Sequence, residues 1–266
     1  MALIKTCLLP HSPLLIPEIG QANYNFLAKT AGAYNQILSD LKERGVETLV
    51  IISPHAPSQE QEFTLNVAPE MLIDLKDFGF IPAKTVFNGD ALLADRLASA
   101  LRPEFPLQLI SEPIIDHGSA IPLYLWKELA SAAFKIIIIS PASVLDLEAE
   151  LRFGVRLGEV LRADEKKIAL LASGDLSHRL KRKSPGGYSP KGAKFDNKLI
   201  EYLSQPESAV ANILKMDEKL IKDAGECGLK PLLILLGVLT AEKWQPQVMA
   251  YQTDFGIGYL SLDFKF

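Results

Sequence analysis

The chain has 266 residues, 48 % of them hydrophobic, and a formal net charge of −4 with a sequence pI near 5.7. That apolar content supplies a sizeable core and excludes a disordered chain. The acidic balance, with Lys and Arg spread along the sequence, excludes the electrostatic footprint of a nucleic-acid binder, and two cysteines, Cys7 and Cys227, make no disulfide framework and fit a reducing compartment.

Taken in chain order, fully apolar or alternating runs that end in turn residues predict strands at Ile4–Leu9, Thr48–Ser53, Phe63–Val67, Leu107–Ile110, Lys135–Ser140 and Ile168–Ser173. Two more close the chain, at Gln247–Tyr251 and Gly258–Leu262. Between them, Tyr24, Leu27, Ala31, Tyr34, Leu38 and Leu41 recur at helical spacing, as do Leu147, Leu151, Val155, Gly158 and Leu161. Further helices are expected at Asp90–Leu101, Ser119–Leu129, Phe195–Ser204 and Leu229–Thr240, and a long basic loop at Arg179–Lys194. Strand and helix alternate, so the expected fold is a three-layer α/β/α domain over residues 1–266. Its central sheet is mostly parallel, made mixed by the closing strands. Met1–Pro10 holds too short an apolar stretch for a secretory leader. The longest apolar run, Leu232–Leu239, falls short of the about 20 residues of a spanning helix, so a cytoplasmic protein with no membrane partner is expected.

All four histidines, His11, His55, His117 and His178, stand just after apolar runs, in segments rich in Pro, Gly, Ser and Asp. The carboxyl ends of strands open onto the ligand crevice of α/β proteins, so four imidazoles there can converge on a metal or acid/base centre. His11 in Pro10-His11-Ser12-Pro13 and His55 in Ser53-Pro54-His55-Ala56-Pro57 sit on proline-stiffened turns, which suits a metal ligand; a packing or capping role fits either one alone. His117 follows Asp116 at a helix start, where Asp116 or Ser119 can cap, and His178 follows Asp175, which can orient its ring or only cap a turn. Ala224-Gly225-Glu226-Cys227-Gly228 offers an anionic donor ahead of the last apolar helix, with Glu226 and Cys227 both open as ligands. Arg179, Lys181, Arg182 and Lys183 can receive a substrate carboxylate or simply face water.

These motifs, together with Asp116-His117-Gly118 and Ser173-Gly174-Asp175-Leu176-Ser177-His178-Arg179, resemble in order the class III extradiol ring-cleaving dioxygenases, the LigB-type catalytic subunits. The closest likeness is to the LigB-like branch associated with AmmeMemoRadiSam proteins. The resemblance implies that His11, His55 and Glu226 bind a non-haem Fe(II), with zinc as the alternative, leaving open positions for a small catechol- or aminophenol-like substrate and O₂. It further implies that His178 takes a catechol proton and that His117 serves the bound oxygen or donates a proton during ring opening. In the related Memo-like branch a cysteine replaces the third ligand. A non-oxygenase accessory protein beside a radical-SAM partner is therefore the second reading, and a zinc hydrolase the third. A homo-oligomer is expected for a soluble enzyme, with a small covering subunit as an alternative.

Overall fold

The computed structural model describes residues 2–57, 61–144 and 146–266. Its strands are β1 (Leu3–Leu9), β2 (Thr48–Ile52), β3 (Phe63–Asn66), β4 (Glu70–Ile73), β5 (Val86–Gly89), β6 (Leu107–Ile110), β7 (Ile114–Ile115), β8 (Lys135–Ser140), β9 (Ile168–Ser173), β10 (Gln245–Gln252) and β11 (Tyr259–Lys265). They form one mixed sheet in the order β10-β11-β1-β9-β2-β8-β5-β4-β7. The centre, β1-β9-β2-β8, is parallel, and β11 joins β1 antiparallel, as the closing strands imply. The outer edge of β8 is divided: its start pairs with β5 and its end with β3, which carries β6 beyond it.

The helices are α1 (Pro17–Gly20), α2 (Ala28–Arg44), α3 (Ala91–Leu101), α4 (His117–Leu125), α5 (Leu147–Ala163), α6 (Pro190–Leu203), α7 (Pro206–Leu214), α8 (Glu218–Ala224) and α9 (Leu229–Val238). Each central strand is buried on both faces because its side chains alternate between two cores. Val50 and Ile52 join the core under α3, α5, α6 and α9, while Leu49 and Ile51 join the core under α2 and α4. This is the three-layer α/β/α arrangement expected from the alternation of elements. Among the described residues no helix is long and apolar enough to cross a membrane.

Several boundaries differ from expectation. Residues 21–27 form a 3-10 turn, so α2 starts at Ala28 rather than Tyr24. The basic loop ends at Ser189, whose hydroxyl accepts the Lys191 amide and caps α6, with Pro190 preset for a first helical turn. Strands β4, β5 and β7 and helices α1, α7 and α8 were not expected.

The topology fixes where a ligand can enter. The chain leaves β1 toward α2 on one face and leaves its neighbour β9 toward α6 on the other. Adjacent parallel strands whose connections part in this way leave a crevice at their carboxyl ends.

Candidate metal centre

His11 follows β1 directly and is 3 % exposed. Its amide donates to Asp175 Oδ1 at 3.1 Å, and its Nδ1 lies 2.9 Å from Ser173 Oγ, at the end of β9. The Ser173 hydroxyl donates its one hydrogen to the Gly118 carbonyl at 2.6 Å. Ser173 must therefore accept from His11 Nδ1, which leaves Nε2 as a lone pair aimed into the crevice. That Nε2 lies 3.1 Å from His55 Nε2. His55 is held from beneath by Ser53, whose hydroxyl donates to Asp116 Oδ1 at 2.5 Å and whose carbonyl accepts from Ser140 Oγ at 2.7 Å.

His117 opens α4, with the Asp116 carboxylate accepting the Ser119 amide as its cap. Its ring stacks on His55 at 4.2 Å between centroids and meets His11 edge-on at 5.4 Å. Asp116 thus caps α4, and His117 stands in the crevice beside His11 and His55. From the opposite face, the turn before α9 brings Cys227 Sγ to 3.6 Å from His11 Nε2, while the Asp175 amide donates to the same sulfur at 3.3 Å. His178 donates from Nδ1 to the Gly225 carbonyl at 2.6 Å and turns Nε2 toward Asp175 Oδ2, 3.5 Å away.

All four histidines therefore converge, but Glu226 does not join them. Its carboxylate accepts the Leu229 amide at 2.7 Å in the first turn of α9 and lines a separate cavity of about 490 Å³ with Lys230 and Ser143. The donors brought together are His11, His55 and Cys227, whose ligand atoms all lie within 4.8 Å of one another. Glu226, expected as the third donor, is turned away from this cluster because its carboxylate reaches three residues ahead to accept a free helix amide, while Cys227 faces the two imidazoles. Lys181, Arg182 and Lys183 are exposed, while Arg179 lies against Gly225 and Gly186 with its guanidinium 3.4 Å from the Asp223 carbonyl. Ser173 and Ser53, which contact His11 and His55, were not singled out; a serine closing an apolar strand beside a histidine motif is the signal that points to them.

The electrostatics suit a cation. Burial lowers the pKa of His11, and burial with repulsion from His11 and His117 takes His55 down to about 3, so both rings are neutral near pH 7 with lone pairs available. Although His55 is exposed as a residue, its Nε2 end is the part enclosed by the other rings. Burial, and next the charge of Asp175, push the Cys227 thiol well up, so binding a metal there releases a proton. Burial disfavours charge on both His178 and Asp175, but it is outweighed in each: Asp175 raises His178, and His11, followed by His178, lowers Asp175. Two neutral imidazoles and a thiol fit a divalent transition metal, with sulfur favouring zinc or iron over the harder magnesium and calcium.

Residues 5–261 match the family model described as the catalytic LigB subunit of aromatic ring-opening dioxygenase. The chain is similar to Protein CA_C1420 of Clostridium acetobutylicum, 29 % identical over 269 residues, and covers 57 % of that relative's length. It is also similar to the 3,4-dihydroxyphenylacetate 2,3-dioxygenase of Escherichia coli, 22 % identical over 92 % of this chain and 93 % of the enzyme. Among solved structures, the uncharacterized protein JW3007 from Escherichia coli K12 shares the fold, with a TM-score of 0.69, 18 % identity, and coverage of 98 % and 99 % of the two chains.

Proposed function

Because the chain belongs to the family of catalytic LigB subunits of aromatic ring-opening dioxygenases, we propose that it is an Fe(II)-dependent extradiol dioxygenase. In this reading residues 1–266 form one catalytic domain that opens a small catechol- or aminophenol-like ring with O₂. The observation that carries the reading is the meeting of four histidines and Cys227 in one crevice, with the Nε2 atoms of His11 and His55 3.1 Å apart. His11, His55 and Cys227 would hold the metal. When bound, Fe(II) supplies a common site for both reactants and makes the substrate hydroxyl more acidic.

The chain's own residues handle the protons. His178, fixed by Gly225 through Nδ1, takes a substrate hydroxyl proton at Nε2, and Asp175 stabilises the charge that forms. His117, stacked on His55, is the second proton carrier, acting on the oxygen side of the site. Anaerobic reconstitution with Fe(II), then oxygen uptake across a panel of catechols and aminophenols, tests this. Uptake with at least one compound is expected, falling by about 10²–10⁴-fold in His178→Ala; no uptake by iron-loaded protein overturns the reading.

A second reading has its own observation. A sulfur donor at Cys227 in place of a carboxylate favours a metal-binding protein that works beside a radical-SAM partner without opening rings. Protein isolated with zinc that supports no uptake after exchange to iron is the outcome that selects it.

A further inference from the structure

The crevice holds more donors than one ion needs. Besides His11, His55 and Cys227, a second group, Asp175, His178 and Cys227, also has all its ligand atoms within 4.8 Å of one another, and the two groups share only the sulfur. A tetrahedral ion with nitrogen or oxygen at about 2.0–2.2 Å and sulfur at about 2.3 Å keeps its ligand atoms about 3.3–3.6 Å apart. His11 Nε2 and Cys227 Sγ are 3.6 Å apart, and His178 Nε2 and Asp175 Oδ2 are 3.5 Å apart, so an edge of each group matches that spacing.

The two groups are also braced alike. His178 Nδ1 lies 2.6 Å from the Gly225 carbonyl, which can only accept, so this nitrogen carries a hydrogen and Nε2 is the atom turned toward the Asp175 carboxylate. A cation bridges these two atoms, a proton in the metal-free protein or a metal ion that displaces it, and the fixing through Nδ1 is the same outer-atom fixing that prepares His11. We infer that Asp175, His178 and Cys227 form a second metal subsite for a thiolate-tolerant divalent ion such as zinc, with Cys227 shared between two ions. This rests on the reading above only in taking the first group as a metal centre. Filling the second subsite occupies the lone pair that His178 would use as a base, so excess metal suppresses ring opening.

Anaerobic titration of the full chain with Co(II), followed by absorbance of the sulfur-to-cobalt band and by metal content after desalting, reads the stoichiometry directly. Wild type is expected to take two equivalents, and His178→Ala and Asp175→Asn one each. Saturation of the wild type at one equivalent, or two equivalents retained in both variants, overturns the inference. The wild-type count decides it even where a variant fails to fold. Two bound ions in a protein that consumes no oxygen as the iron form support the inference and overturn ring cleavage; oxygen uptake with a limit of one ion does the reverse.

Discussion

Two helices point their first turns into the crevice from opposite faces of the sheet, and both open on the same three kinds of residue. Asp116-His117-Gly118 begins α4, and Glu226-Cys227-Gly228 precedes α9. In each, the carboxylate reaches three residues ahead to accept a free helix amide, Ser119 at 3.2 Å or Leu229 at 2.7 Å, and the next residue offers its side chain to the site. The difference lies in what else the carboxylate does. Asp116 also accepts from Ser53 and so ties α4 to the segment carrying His55, whereas Glu226 faces a side cavity beside Lys230 and is pushed up to about 7, chiefly by burial. A carboxylate followed by a donor and a glycine at a helix start is thus a cap first, and the donor is the residue after it.

The largest effect expected from this comparison separates neighbours on the α9 side. Cys227→Ser lowers metal affinity by more than about 100-fold, above the range for residues that only orient ligands, while Glu226→Gln stays within about tenfold of wild type. Competition titration against a chromophoric chelator measures both, and equal losses would place Glu226 among the ligands after all. Next in size are the caps. Asp116→Ala should cost about 1–2 kcal/mol and also weaken metal binding through Ser53 and His55, whereas Glu226→Ala costs about 1 kcal/mol. Denaturant midpoints compared with metal titrations show whether the two losses travel together only on the α4 side.

The glycines sharpen the same contrast. A Cβ at Gly118 would stand 2.5 Å from the Ser53 hydroxyl, and one at Gly228 3.0 Å from the Asp175 carbonyl. Gly118→Ala is therefore expected to unfold at lower denaturant than Gly228→Ala, and the reverse order would mean that the Ser53–Asp116 tie yields easily.

The smallest effect concerns the brace behind α9. Lys230 donates to the Ala142 and Ser143 carbonyls at 2.6 Å each, and burial raises the pKa of its neighbour Glu150, which is 1 % exposed. A carboxyl group whose folded pKa is raised binds more protons folded than unfolded. Its contribution is complete below the ordinary glutamate value of about 4.3 and is lost as pH rises through the folded value. Glu150→Gln should remove that slope, becoming more stable relative to wild type by about 1–3 kcal/mol between pH 5 and 8. Chemical denaturation across that range checks it; parallel wild-type and variant profiles would mean that Lys230 cancels the burial cost.

Much of this architecture can be read in the chain because the central strands are buried on both faces. Runs such as Ile136–Ile139 and Ala169–Ala172 have no polar residue to obscure them. Strands β4, β5 and β7 escape such reading: they are two to four residues long, and β7 and β5 join the rest of the sheet only through partners distant in sequence. Helices α7 and α8 are hidden by their brevity and by the polar stretches 204–208 and 215–219. The positions of the histidines follow from strand ends, but the choice between Glu226 and Cys227 depends on the backbone path. Gly225, in the left-handed region at φ 59°, ends α8 and sets which of the next two side chains turns inward.

The Ser173 hydroxyl has a consequence for the order of assembly. It has a single hydrogen, and the Gly118 carbonyl holds that hydrogen only when the first turn of α4 is seated. Before α4 docks, nothing directs the proton away from His11, and the ring is free to take the tautomer in which Nε2 carries hydrogen and binds no metal. Docking of α4 therefore favours the His11 tautomer with a free Nε2, so a metal held there would bind more tightly once the fold has closed around the crevice.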